Sequence, residues 1–127
     1  MSLTFLVFFT AALSIFLCSC GPEPKWKSDG YEVRWIDADL VLWLDLGDGN
    51  AIGRVMHKVS AVGDDDTWVV AERHPDGDET KTEYYYFAKA LDHRHKNADE
   101  IAKGPFTKLE FDKIKKDLDL PDFSKHF

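Results

Sequence analysis

Cysteine is nearly absent from this sequence. The only two, Cys18 and Cys20, sit at the end of one apolar stretch, so no thiol lies beyond residue 20. Disulfides, thiolate metal sites and a cysteine nucleophile are therefore excluded downstream, and stability must come from a packed core. Charge is missing from the N-terminal region, where Leu3 to Leu17 reads LTFLVFFTAALSIFL and Glu23 is the first charged residue. Glycine-rich phosphate loops, internal repeats and low-complexity tracts are missing as well. Basic residues are in deficit, 16 against 23 acids, for a formal charge of −7. An acidic domain repels phosphate backbones, so nucleic acid is excluded as a partner, and electrostatics alone would not hold the chain on an anionic bilayer.

What is present begins with that apolar run. It is short of the roughly 20 apolar residues that span a bilayer and fits the core of a secretory signal. Leu17-Cys18-Ser19-Cys20 closes it, with an aliphatic residue three before Cys20 and a small one just before it. This pattern resembles the lipobox of bacterial lipoproteins. The resemblance implies cleavage after Ser19 and diacylation of Cys20. The expected mature chain has 108 residues, 19 fewer than the full 127. Met1-Ser2 lacks the usual Lys or Arg of such a signal, so an uncleaved anchor helix is the alternative. Either way the domain is expected in the cell envelope, outside the cytoplasm and tied to a membrane.

The segment from Cys20 to Gly30 reads as a tether kept extended by Pro22 and Pro24. Residues 31–127 read as one domain. Tyr31 to Asp37 alternates apolar and charged, which predicts a half-buried strand with Tyr31, Val33 and Trp35 on one face. Leu40 to Leu46 is apolar on both faces and predicts a central strand. Ile52 to Val62 reads as one long strand, Thr67 to Arg73 as a fourth, and Thr82 to Ala90 as a fifth, again apolar on both faces. Asp92 to Lys103 reads as a charged, solvated loop. Thr107 and Glu110 have capping-box spacing, and Phe106 and Phe111 have that of a hydrophobic staple. Phe111, Ile114 and Leu118 then carry a helix from Thr107 that Pro121 stops. The expected fold is α+β: a five-stranded antiparallel meander, curled toward a partial barrel, with one C-terminal helix packed on it. Two strands apolar on both faces need more cover than one helix supplies. If curling does not supply it, a patch around Trp43 and Tyr85 stays exposed as a partner or ligand surface.

Catalytic and metal chemistry find little support. Ser60 follows His57 by three, which on a strand puts the two on opposite faces. His93 and His95 could share a face, but Arg94 and Lys96 beside them oppose a cation. Asp45, Asp48 and Asn50 fail the spacing of a calcium loop, and Asp64-Asp65-Asp66 reads as a charged hairpin tip. No catalytic residue, metal site or cofactor is assigned.

The order of segments resembles a functionally uncharacterised family of small bacterial lipoproteins. The matching stretches are Gly30 to Val33, Val59 to Gly63, Trp68 to Glu72, Tyr84 to Tyr86, and Gly104-Pro105-Phe106-Thr107 into Glu110-Phe111. The resemblance implies a lipid-anchored extracytoplasmic domain and carries over no catalytic residues. The expected function is a non-enzymatic module that binds a protein partner or small ligand. The alternatives are a small envelope enzyme using acids with His57 or His93, and an inhibitor or immunity-type lipoprotein.

Overall fold

The computed structural model describes residues 23–127. The lipobox and its cysteines lie outside the described residues. Strand β1 (Trp26–Ser28) turns through Asp29 and Gly30, both at positive φ, into β2 (Tyr31–Ile36). Asp-Gly is a strong two-residue hairpin signal, because both turn positions take the left-handed conformation. The segment expected to be a tether is therefore already folded at Trp26. Asp37 and Ala38, again both at positive φ, turn β2 into β3 (Asp39–Asp45), and Leu46 to Asn50 leads to β4 (Ala51–Val55). These four strands form one antiparallel sheet in the order β1-β2-β3-β4.

The expected third strand is two strands. His57 and Lys58 take φ of 69° and 57°, which breaks the chain after β4. The next strand, β5 (Val59–Asp64), opens a second sheet. The local reason is steric: left-handed residues cannot continue a strand. A bulge between Val59 and Ala61 then shifts the alternation. Val55, Val59 and Val62 share the core between the sheets, where Val55, Val59 and Ala61 were expected on one face.

Strands β6 (Trp68–Arg73) and β7 (Glu83–Ala88) match the expected fourth and fifth strands. The loop expected from Asp92 to Lys103 instead contains a one-turn helix, α1 (Ala98–Ile101), and leads into β8 (Lys103–Phe106). Helix α2 (Lys108–Leu118) follows, and β9 (Lys125–His126) returns to pair with β5. The second sheet runs β8-β7-β6-β5-β9. Among the described residues the fold is thus sheet-dominated and antiparallel with one long helix, built from nine strands in two sheets rather than five in one.

This arrangement answers the question of cover. The second sheet has an apolar core on each face. On one side Val69, Ala71, Tyr85 and Phe87 meet Tyr31, Val33 and Leu42 of the first sheet, closed at one end by Ile101. On the other, Val70 and Tyr84 meet Phe111 of α2 and Leu120. The Tyr84 and Phe111 rings stack with centroids 5.0 Å apart. Strand β7 is apolar on both faces because both faces are covered. Helix α2 begins as expected: Thr107 Oγ1 accepts from the Glu110 N–H at 3.2 Å, and Glu110 accepts from the Thr107 N–H at 3.0 Å.

Candidate functional site

The expected patch of Trp43 and Tyr85 does not form. Tyr85 is 8% exposed and belongs to the core between the sheets, while Trp43 lies in the other sheet. Burial pushes the Tyr85 hydroxyl up to about 12, with a hydrogen bond to Glu83 adding to the effect. Trp43 serves a structural cluster on its sheet. Its Nε1 donates to Glu32 at 3.0 Å, and the Arg34 guanidinium lies over its ring at 5.5 Å. Arg34 Nε also donates to Glu32 at 2.6 Å. That bond holds the buried Glu32 carboxyl below its ordinary range, although burial opposes it.

Asp92, read as part of a solvated loop, is instead inserted into the protein. Its side chain and that of Arg54 are each 1% exposed. Arg54 Nε donates to Asp92 Oδ2 at 3.0 Å, and Arg54 Nη2 lies 2.8 Å from Oδ1 in charge contact but without an aligned hydrogen bond. The Tyr31 hydroxyl donates to Oδ2 at 2.8 Å. Desolvation, with that hydrogen bond, drives the Tyr31 hydroxyl far above its usual value. This cluster pins the segment after β7 against the first sheet. His93 and His95, beside it, are exposed, with ring centroids 6.0 Å apart. Asp64, read as part of a hairpin tip, is tied down: it accepts from Ser28 Oγ at 2.6 Å and Lys89 Nζ at 2.7 Å.

The residues proposed for enzyme chemistry do not converge. His57 is exposed at the chain break, its Nδ1 3.7 Å from Asp39 Oδ2. Ser60 Oγ donates to Glu72 Oε1 at 2.8 Å, so its proton faces a carboxylate rather than an imidazole base. Among the described residues no three His, Cys, Asp or Glu side chains are grouped to hold a metal ion.

A groove of about 640 Å³ opens at the end of the two-sheet core, a volume within the usual range for ligand sites. Three features of the chain build it. The first is the β2–β3 hairpin. Tyr31 and Val33 are covered by the second sheet, but Trp35, next on the same face, overhangs and is 47% exposed. Trp35, with Ala38 and Leu40, forms one wall. The second is the switch between sheets. The left-handed His57-Lys58 step brings Lys58 and Val59 to the floor, and the Lys58 carbonyl accepts from the His74 N–H at 3.1 Å. Gly77 packs beside the Lys58 side chain, and its positive φ of 70° is what favours glycine there. The third is the C-terminal segment of β9, which adds Lys125, His126 and Phe127.

The groove's charge is opposite to that of the whole chain. Its lining contains Lys25, Lys58 and Lys125 against one acid, Glu79. Lys27, Lys89, Lys108 and Lys115 are paired with carboxylates. Among the described residues Lys25, Lys58 and Lys125 carry no such ion pair, which is also true of Lys81, Lys96, Lys103, Lys113 and Lys116; what sets the three apart is that they line one groove. Two acids at the same end are occupied: Asp39 faces His57, and Asp78 accepts from the Thr80 N–H and hydroxyl at 2.9 and 2.6 Å. Apolar walls, an overhanging tryptophan and unpaired ammonium groups can hold a molecule with an apolar body and an acidic group.

Sequence reasoning missed this groove. Trp35 shares the alternating face of Tyr31 and Val33 and so reads as core. Nothing local marks Lys25, Lys58 and Lys125 as neighbours, because β9 and the sheet switch bring them together. A scan against protein-family models finds no match, and searches of curated proteins and of solved structures return no similar protein.

Proposed function

We propose that this protein is a non-enzymatic binding module of the bacterial cell envelope, held at a membrane surface by acyl chains on Cys20. The groove walled by Trp35 and floored by Lys58 and Val59 is its ligand site. One observation carries the binding reading: the only tryptophan described as largely exposed overhangs a groove whose cations are unpaired, in a chain of formal charge −7. The anchor reading rests on Leu17 to Cys20 and on the resemblance to small lipoproteins. Serine hydrolysis is disfavoured because Ser60 donates to Glu72.

Two measurements test the two halves. Cys20→Ala is expected to abolish acyl labelling and normal processing, and unchanged labelling would refute the anchor. Native mass spectrometry of the protein purified from membranes is expected to find a bound small molecule in the unaltered chain. In Trp35→Ala that adduct is expected to fall at least fivefold. An adduct of equal occupancy in both chains, or none in either, would remove the groove as the ligand site.

A further inference from the structure

We infer that the groove takes an anionic phospholipid from the same membrane that holds the protein, the phosphate lying against Lys58, Lys25 and Lys125 and part of an acyl chain against Trp35, Val59 and Phe127. The inference deepens the binding reading above and rests on its anchor. Chain length supplies the first argument. Lys25 lines the groove, and it follows Cys20 by five positions, with only Gly21 to Pro24 between them. At about 3.6 Å per residue, a fully extended segment keeps the groove's edge within about 18 Å of the acylated residue. A groove held that close to the headgroups meets lipid at a local concentration that no soluble ligand reaches.

Chemistry supplies the second argument. Soluble anions need only the lysines; the apolar lining and the half-exposed Trp35 would be left facing water. A phospholipid uses both, and an indole ring is suited to the boundary between acyl chains and headgroups. Overall acidity does not oppose this contact. Charges interact over a Debye length of about 8 Å at physiological salt, so a phosphate in the groove experiences its three lysines and Glu79 more than the acids elsewhere on the chain. The bilayer as a whole still repels the domain, and for that reason the covalent anchor is needed to bring the groove to it.

The test uses the lipidated protein reconstituted into phosphatidylcholine vesicles containing a fixed fraction of phosphatidylglycerol. Brominated acyl chains, which quench tryptophan on contact, are placed on one lipid or the other at equal total bromine. The signal of Trp35 is the difference between the unaltered chain and Trp35→Phe. At least twofold stronger quenching of Trp35 by the brominated anionic lipid is expected. Parity is expected in a Lys58→Asn, Lys125→Gln variant, asparagine being chosen because it tolerates the left-handed backbone at residue 58. Equal quenching by both lipids in the unaltered chain, or a preference that survives loss of the lysines, overturns the inference. Flotation of the same vesicles separates the two readings. A chain that does not float fails the anchor and the inference together. A chain that floats but shows no lipid preference fails the inference alone.

Discussion

At the scale of single residues, the buried charges have the largest consequences. Arg54 and Asp92 are both almost wholly removed from water, and such a pair gives little net stability because desolvation offsets attraction. Breaking it is another matter. Asp92→Ala strands a guanidinium and also takes the acceptor from the Tyr31 hydroxyl, so a loss of about 3–5 kcal/mol is expected in urea unfolding. Arg54→Met strands a carboxylate at similar cost. The double variant should lose less than the sum of the two by at least about 2 kcal/mol, and simple additivity would contradict a coupled pair. Glu32 carries a pH dependence. Its folded carboxyl is held low, first by the Arg34 hydrogen bond, so its contribution is fully present above the unfolded value of about 4.3 and is lost as pH falls through the lower folded value. Urea midpoints at pH 6 and pH 3 should therefore differ more in the unaltered chain than in Glu32→Gln. An equal drop in both would assign the acid sensitivity elsewhere.

Among the elements, those written in local chemistry were legible from the sequence. Helix α2 announces itself through Thr107, Glu110 and the Phe111 spacing, and the structure contains both bonds of the capping box. Thr107→Ala should cost about 1 kcal/mol by thermal unfolding, with Thr107→Ser recovering most of it. No loss in Thr107→Ala would mean that packing of Phe111 and Ile114 alone sets the helix start. Strands β2, β3, β6 and β7 were legible by the same logic, through alternation or two-sided apolarity. Asp29-Gly30 has the chemistry of a hairpin turn, whereas Pro22 and Pro24 before it have that of an extended tether. The break at His57-Lys58 was not legible, because neither residue type favours positive φ strongly enough to announce a turn inside an apolar run. Strand β9 is two residues long and exists only through its pairing with β5, so no periodicity could mark it. The groove inherits both gaps, since the sheet switch and β9 supply two of its lysines.

For the whole molecule, the second sheet is the common slab: one face serves the core with the first sheet, and the other the core under α2. Its central strand, β6, has neighbours on both edges and an apolar layer on both faces. Amide hydrogen exchange is expected to be slowest in β6 and β7 and fastest in the outermost strands β1 and β9, by two orders of magnitude or more in protection. Uniform protection would mean that the sheets open only together. Every other ladder joins strands adjacent in sequence, whereas β5 and β9 are joined across about sixty residues. A chain that emerges N-terminus first can therefore zip β1 to β4 and then β5 to β8 as they appear. Until α2 and Leu120 arrive, Val70, Tyr84 and Tyr86 face water on a sheet with an open edge, the state most exposed to misassembly. The final segment thus acts as a latch: it covers the outer face, seals the edge of β5 and completes the groove.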